Sequence, residues 1–152
     1  MPATQTKKFF VSHSEQLLRI HRHCRSLSLP APVRRLKLLA QKIIAGEHRS
    51  FQQKVSVVFC SDHSIRRLNA RYRNIDRVTD VLSFTIDDPD LLGEIYISLP
   101  RARVQARLFH TSCEEELLKL FVHGLFHLLG YDHETRRGRL KMELKEKKYG
   151  IL

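Results

Sequence analysis

Apolar and polar residues alternate along four stretches of the chain, which is the pattern of strands with one buried face. The clearest stretch, residues 54–60, is rich in β-branched side chains, whereas the alternation around Leu18 and Ile20 is a weak signal. We predict strands around residues 18–20 and over residues 54–60, 79–86 and 95–99, the last of them ending at Pro100. A turn over residues 87–90 makes the last two strands antiparallel neighbours, whereas strands separated by helices need crossover connections.

Apolar residues recur at helical spacing in five further segments. We predict helices over residues 33–43, from residue 61 or 62 to about residue 68, and over residues 100–110, 112–129 and 135–148. Gly46 is a natural end for the first helix, and Ser112 with Glu115 forms a capping box in front of the fourth. The last helix is highly charged and has a thin apolar stripe of Leu140 and Leu144. Residues 69–77 are expected to form a basic loop that contains Arg71, Arg73 and Arg77.

A chain of 152 residues can bury one core without staples, and no segment has the composition of a linker between domains. We therefore expect a single domain over residues 17–152. Residues 1–16 show no sustained periodicity and are expected to form an N-terminal extension.

The composition is strongly basic, because 27 Lys+Arg against 16 Asp+Glu give a formal charge of +11. A protein of this charge attracts polyanions, and nucleic acid or an acidic membrane surface are the usual candidates. The alternative is that the excess charge only keeps the protein in solution.

The cysteines Cys24, Cys60 and Cys113 are odd in number, far apart and never in a C-x-x-C pair. This pattern argues against a disulfide framework and for a reducing compartment. The apolar run near the N-terminus is too short for a signal peptide, and the most apolar segment, residues 117–129, is too short to span a bilayer. We expect a cytoplasmic protein.

The segment H-G-L-F-H-L-L-G-Y-D-H, residues 123–133, carries the candidate chemistry. His123 and His127 are four residues apart and therefore share one face of a helix. Gly130 can end that helix in the left-handed conformation, and the turn after it can bring His133 back towards the other two. Three imidazoles from a helix and the following turn match a catalytic zinc site, which has three protein ligands and one open position.

A helical projection of residues 112–129 separates two faces. The predicted core face contains Leu118, Val122, Leu125 and Leu129. The opposite face is the only polar strip, with Glu116, Lys119, His123 and His127. Histidines on an apolar face are more often core residues, so the position of these two on the polar strip favours metal binding.

Gly124 follows the first histidine, at the position where zinc proteases of the H-E-x-x-H type carry their general-base glutamate. The usual peptidase base is therefore absent. We also expect a glycine here to leave open space beside the metal for a bulky substrate.

The histidine segment resembles the signature of the YbeY family of bacterial endoribonucleases, H-G-x-x-H-L-x-G-Y-D-H, at every specified position. Residues 68–95 are similar to the family motifs L-N-x-x-Y-R, T-D-V-L-S-F and L-G-D-I. Two positions depart from the family pattern. Val78 stands where a proline usually precedes T-D-V-L-S-F, and Asn74-Ile75 stands where a Gly-Lys pair often follows the family arginine.

The resemblance implies an α+β fold, in which a single domain has a small mixed β-sheet packed by helices and a zincin-like histidine helix. It implies one Zn²⁺ per chain, bound by His123, His127 and His133, and a catalytic role for Arg73 in the metal cleft. The implied activity is that of a single-strand-specific endoribonuclease in ribosomal RNA maturation and ribosome quality control. The implied partners are ribosomal RNA and the small ribosomal subunit with its maturation factors, without a membrane or a small-molecule cofactor.

In such a site, zinc would activate a water molecule or a substrate 2′-hydroxyl for attack on phosphorus, and Arg73 would contact the non-bridging oxygens. The alternative for Arg73 is a solvated loop arginine. Asp132 either orients an imidazole or caps a turn, and Asp80 either faces the cleft or begins a strand. No residue of the sequence stands out as a general base.

Several basic residues are candidates for contacts with an RNA backbone, with a solvated surface as the alternative: Arg71, Arg73, Arg77, Arg136, Arg137 and Arg139. Two other functions stay open. One is another metal-dependent hydrolase such as a peptidase, and the other is a ribosome-binding or RNA-binding module with a structural metal.

Overall fold

The computed structural model describes residues 18–22, 32–47 and 53–150 of the chain. The expected extension over residues 1–16 and the cysteine at position 24 lie outside these ranges. In chain order the elements are β1 (Leu18–Arg22), α1 (Val33–Gly46), β2 (Lys54–Cys60), α2 (Asp62–Arg73), β3 (Val81–Thr85), β4 (Leu91–Ser98), α3 (Leu99–Leu108), α4 (Cys113–Leu128) and α5 (Arg136–Lys148).

The four strands form one mixed sheet in the order β1-β2-β4-β3. β2 is parallel to both β1 and β4, with Val57 opposite Ile20 on one side and Ile95 on the other. β3 is antiparallel to β4. The α+β class, the helical crossovers and the antiparallel last pair are therefore confirmed.

Alternate residues of the strands pack against helices on opposite faces of the sheet. Val57 and Ile95 belong to the main core, together with buried residues of α1, α3, α4 and α5. Leu82 and Cys60 belong to a smaller cluster on the other face, where Ile65 of α2 packs against them. The sheet is thus covered by α2 on one face and by the histidine helix and its neighbours on the other.

α4 is the most deeply buried helix, and its burial extends beyond the predicted core face. The predicted core residues are all buried: Leu118, Val122, Leu125 and Leu129. Phe121 and Phe126 are fully buried as well, and Glu116, which was expected on the polar strip, is only 3% exposed. The polar strip is therefore narrower than predicted, with His123 and His127 half-buried at its C-terminal end. The capping box of Ser112 and Glu115 is confirmed.

Several predicted element boundaries are wrong, among them the start of β4, which lies at Leu91 and not at residue 95. α2 continues to Arg73, so Arg71 and Arg73 lie in the last turn of a helix and not in a loop. β4 ends at Ser98, and Pro100 lies in the first turn of α3 instead of terminating a strand. Proline is tolerated there because the first N–H groups of a helix have no intrahelical partner.

The prediction that α5 packs through Leu140 and Leu144 is also wrong. Leu140 and Leu144 are 52% and 67% exposed, whereas Met142 and Glu146 are buried, with Tyr149 just beyond the helix. α5 therefore turns a different face to the core, and a carboxylate lies in the middle of that face.

The thiol of Cys60 is buried and donates to the backbone carbonyl of Ile97 at 3.6 Å, and Cys113 is partly exposed at the start of α4. Among the helices of the described ranges, none is both long enough and apolar enough to cross a membrane.

Candidate metal centre

The end of α4 brings the third histidine back towards the first two. Gly130 has φ +91°, a conformation that glycine adopts without strain. The N–H of Tyr131 donates to the carbonyl of Phe126, and the N–H of Gly130 donates to the carbonyl of His127, both at 3.0 Å. These two hydrogen bonds form a Schellman motif. The predicted helix end is confirmed, and the chain reversal delivers His133.

Nitrogen atoms of the three imidazoles converge on one point. His127 Nε2 lies 3.1 Å from His123 Nε2 and 2.9 Å from His133 Nδ1. A tetrahedral zinc ion with metal–nitrogen distances of about 2.0–2.1 Å separates its ligand atoms by roughly 3.4 Å. The ligand atoms of the three residues lie within 4.8 Å of one another, so they are close enough to hold one ion after adjustment of the side chains. Within residues 18–22, 32–47 and 53–150, this is the one cluster of His, Cys, Asp or Glu that could hold a metal. The predicted convergence is present, and ligation of a metal by these residues stays a prediction.

The surroundings of His127 keep its imidazole neutral. Burial, followed by the charges of His123 and His133 and, more weakly, of Arg73, lowers the pKa of His127 from 6.5 to about 4. A hydrogen bond with the backbone of Tyr131 opposes these effects only in part. Because metal ligation needs a nitrogen lone pair, a neutral imidazole at neutral pH is the form suited to binding.

The cluster opens towards solvent on one side. His123 and His127 are half-buried, whereas His133 in the turn is exposed. Three protein ligands with one accessible side are the arrangement of a catalytic site, since structural zinc sites are closed by four protein ligands.

Gly124 does not open space beside the cluster, and that expectation is wrong. A Cβ atom at this position would lie 2.7 Å from Cγ2 of Ile95 and 2.8 Å from Oγ of Ser83. The glycine therefore lets α4 approach the sheet closely. Side chains of β3 and β4 occupy the space that a side chain at position 124 would need. Position 124 still has no glutamate that could serve as a peptidase base.

For Asp132 and Asp80, the contacts in the structure support the second of the two roles that the sequence left open. Asp132 accepts a hydrogen bond from the N–H of Glu134 at 2.7 Å, so its carboxylate caps the turn. Asp80 accepts from the N–H of Val81 and from the side chain of Gln105, both at 2.8 Å, which places it at the start of β3.

The carboxylate that contacts the histidines is Glu146, which the sequence analysis did not single out. Its Oε1 lies 3.0 Å from Nδ1 of His123. The available signal was the spacing of Met142, Glu146 and Tyr149, which defines the buried stripe of α5. That stripe was missed because Leu140 and Leu144 are the more apolar pair.

Arg73 lies at the C-terminal end of α2, and its positive charge contributes to the low pKa of His127. α2 ends at Asn74, which has the left-handed φ of 58°. Asn is the residue that tolerates this conformation best after Gly. Position 74, where the sequence departs from the family's usual Gly, thus has a residue that tolerates the left-handed conformation observed there.

A second polar cluster fixes the turn between Gly130 and His133. Tyr131 donates its hydroxyl proton to Oε2 of Glu47 at 2.5 Å, and Nζ of Lys145 lies 2.8 Å from Oε1 of the same carboxylate. Glu47 follows α1, Tyr131 lies in the turn and Lys145 belongs to α5. The cluster thus joins three elements of the fold at the turn that precedes His133.

Comparisons with known proteins identify the family. Residues 23–150 match the family model described as Endoribonuclease YbeY. A protein named Endoribonuclease YbeY from Desulforamulus reducens is 44% identical in an alignment of length 119 that covers 72% of this chain and 76% of that protein. A protein of the same name from Desulfitobacterium hafniense is 44% identical in an alignment of length 124 that covers 72% of this chain and 79% of that protein.

A solved structure agrees with these matches. The solution structure of a protein from Thermotoga maritima superposes with a TM-score of 0.62 at 35% sequence identity, covering 87% of this chain and 85% of that one. The resemblance carried by the two sequence blocks is therefore confirmed over most of the chain. On the family match and the identity to these relatives, the chain belongs to the YbeY family.

Proposed function

We propose that this chain is a zinc-dependent endoribonuclease that cuts single-stranded RNA and acts in ribosomal RNA maturation and ribosome quality control. One observation carries the proposal. Imidazole nitrogens of His123, His127 and His133 lie close together in a cluster that solvent can reach from one side. The relatives of this chain are named endoribonucleases.

The three histidines would hold one Zn²⁺ per chain. When bound, the ion supplies a Lewis acid and activates water near neutral pH. The protein contributes imidazoles with free lone pairs, and the low pKa of His127 keeps that residue in the required form. Imidazole sites also accept nickel and copper, so elemental analysis of the purified protein identifies the ion.

We assign to Arg73 the contact with the phosphate group of the RNA at which cleavage occurs. Its guanidinium group is a planar fork that matches two phosphate oxygens, and it would stabilise the negative charge that develops on them. The support from the structure is its place at the end of α2, close enough for its charge to act on His127.

The net charge of +11 supports a polyanionic substrate. Exposed arginines that precede and follow the histidines in the chain are available for the RNA backbone: Arg71, Arg77, Arg136, Arg137 and Arg139. The small ribosomal subunit and its maturation factors are the proposed partners, and the cytoplasmic location expected from the sequence fits that role.

Two other functions are distinguished by experiment. A metal-dependent peptidase would need a general base, and the position that supplies one in H-E-x-x-H enzymes is Gly124. A ribosome-binding module with a structural metal would bind RNA without cutting it.

The test is incubation of zinc-loaded protein with a labelled single-stranded RNA and with a base-paired hairpin, each with and without a chelator. His127→Ala and the chelator are expected to abolish cleavage of the single strand. Arg73→Ala is expected to slow it about 10²-fold to 10³-fold, as for the loss of one transition-state donor. His63→Ala and Arg67→Ala are matched controls on exposed positions of α2 and are expected to leave cleavage nearly unchanged.

Cleavage that survives both the chelator and His127→Ala would contradict the metal-dependent mechanism. If the protein cuts no RNA but sediments with ribosomal subunits in the same buffers, the binding module replaces the enzyme. Cleavage of a peptide library in place of RNA would support the peptidase.

A further inference from the structure

Glu146 lies where the packing of α5 would favour an apolar side chain. The buried stripe of α5 consists of Met142 and Glu146 and continues to Tyr149, and Glu146 is 9% exposed. Burying a carboxylate is costly unless it is hydrogen-bonded. The sequence nevertheless has a glutamate in the middle of the stripe.

The polar contact that compensates this cost is with His123. Oε1 of Glu146 lies 3.0 Å from Nδ1 of His123, and within the described residues the carboxylate has no other hydrogen-bond partner or ion pair. Lys145 beside it in sequence is held by Glu47, so it does not compete for this carboxylate.

The geometry distinguishes the two ring nitrogens of His123. Nδ1 faces the carboxylate, which can only accept a proton when ionised. Nε2 faces the other histidines, at 3.1 Å from Nε2 of His127. A neutral imidazole that donates from Nδ1 has its lone pair on Nε2, which is the atom at the point of convergence.

We infer that Glu146 is the positioning residue of the metal centre, because it holds His123 with Nδ1 protonated and with the Nε2 lone pair directed at the metal. The inference rests on the proposed metal centre but not on RNA as the substrate. Carboxylates in this position fix the orientation of a histidine ligand and raise its basicity. Asp132 has no such role, because its carboxylate accepts from the backbone of the turn.

The test compares Glu146→Gln and Glu146→Ala with Glu143→Gln, which removes a carboxylate from an exposed position of the same helix. Affinity for Zn²⁺ is measured by competition with a chromophoric chelator. The tautomer of His123 is read from ¹⁵N chemical shifts of the metal-free protein at neutral pH, and thermal denaturation of that protein reports its stability.

We expect Glu146→Ala to weaken zinc binding by about 100-fold and Glu146→Gln by about tenfold, since the amide oxygen still accepts the Nδ1 proton but has no charge. Glu143→Gln is expected to bind zinc as the unmodified protein does. His123 is expected to be protonated on Nδ1 in the unmodified protein and to lose this preference in Glu146→Ala.

A structural role alone would lower the denaturation temperature of the Glu146 variants and leave their zinc affinity and the His123 tautomer unchanged, which would overturn the inference. If Glu146→Ala does not fold, the test uses Glu146→Gln alone. Zinc affinity of Glu146→Gln equal to that of Glu143→Gln would then overturn the inference. The two proposals can fail separately. If the Glu146 variants lose zinc affinity but the zinc-loaded unmodified protein cuts no RNA, the role of Glu146 is supported and the proposed ribonuclease function is contradicted.

Discussion

The hydroxyl group of Ser83 donates a hydrogen bond of 3.1 Å to the backbone carbonyl of Gly124, joining β3 to the helix that carries His123 and His127. The contact is possible because α4 has no side chain at this point. A Cβ atom at position 124 would lie 2.7 Å from the side chain of Ile95, which is closer than side-chain atoms normally approach. The residue next to the first histidine thus sets the distance between the histidine helix and the sheet.

Gly124→Ala is expected to destabilise the protein by about 1–3 kcal/mol, because an added methyl group in a well-packed interface forces its neighbours to shift. Urea denaturation measures the change. Since α4 must move away from β4, zinc affinity is expected to fall as well. An alanine variant with the stability and zinc affinity of the unmodified protein would show that the interface has room for the methyl group.

Gly130→Ala is expected to cost about 1–2 kcal/mol and to weaken zinc binding, because a side chain is strained at φ +91° and the strain is relieved by moving the turn that carries His133. Gly150→Ala is the matched control. It is also strained, at φ +75°, but it lies beyond α5 and far along the chain from the three histidines. Stability losses in both variants with a loss of zinc affinity only in Gly130→Ala are the expected outcome. Equal zinc affinities would mean that the turn does not control His133.

Glu47→Gln is expected to lower the free energy of unfolding by about 1–3 kcal/mol at neutral pH, because it leaves Lys145 and Tyr131 without their ionised acceptor. Burial alone raises the pKa of Glu47, but the hydrogen bonds from Lys145 and Tyr131 outweigh it and hold the pKa below 4.5. A carboxyl group whose pKa is lower in the folded than in the unfolded state stabilises the folded state at a pH above the unfolded-state pKa. This stabilisation is lost as the pH falls through the folded-state pKa. The difference between variant and unmodified protein should therefore shrink below about pH 4.5.

The control for this change is Glu114→Gln, which breaks an exposed ion pair with Arg35. Exposed pairs contribute little, so its effect should be well below that of Glu47→Gln at every pH. Chemical denaturation over a range of pH measures both variants. A Glu47 variant that unfolds like the Glu114 variant would contradict a structural role for the cluster of Glu47, Tyr131 and Lys145.

Metal-free protein is expected to lose stability as the pH falls from 6.5 towards 4. Burial, followed by the charges of the neighbouring histidines, lowers the pKa of His127 from 6.5 to about 4. Within this window the unfolded chain binds a proton that the folded protein does not, so acid favours unfolding. Denaturation of chelator-treated protein at several pH values measures the effect, and His127→Gln should flatten this part of the curve. Identical pH profiles for the two proteins would be incompatible with a buried neutral His127.

Features of the candidate site that depend on neighbouring residues along the chain could be predicted from the sequence. The spacing of His123 and His127, the helix end at Gly130 and the capping box before α4 are all set by local backbone chemistry, and the structure contains each of them. The strand over Lys54–Cys60 was also clear, because a β-branched run has few alternatives.

Features that depend on distant residues could not be predicted. Gly124 was expected to face open space, since nothing in its neighbourhood reveals that Ile95 and Ser83 pack against it. The buried face of α5 was missed because Glu146 is polar, and its burial has a reason only once His123 is known to lie 3.0 Å away. The length of α2 was underestimated because Asn74 is less conspicuous as a helix end than glycine.

Metal dependence is tested by titrating metal-free protein with Zn²⁺ and following cleavage of a single-stranded RNA at each step. We predict no cleavage before zinc is added, a linear rise to a plateau at one ion per chain, and no rise with His127→Ala. Cleavage by the metal-free protein, or cleavage by His127→Ala equal to that of the unmodified protein, would contradict metal dependence.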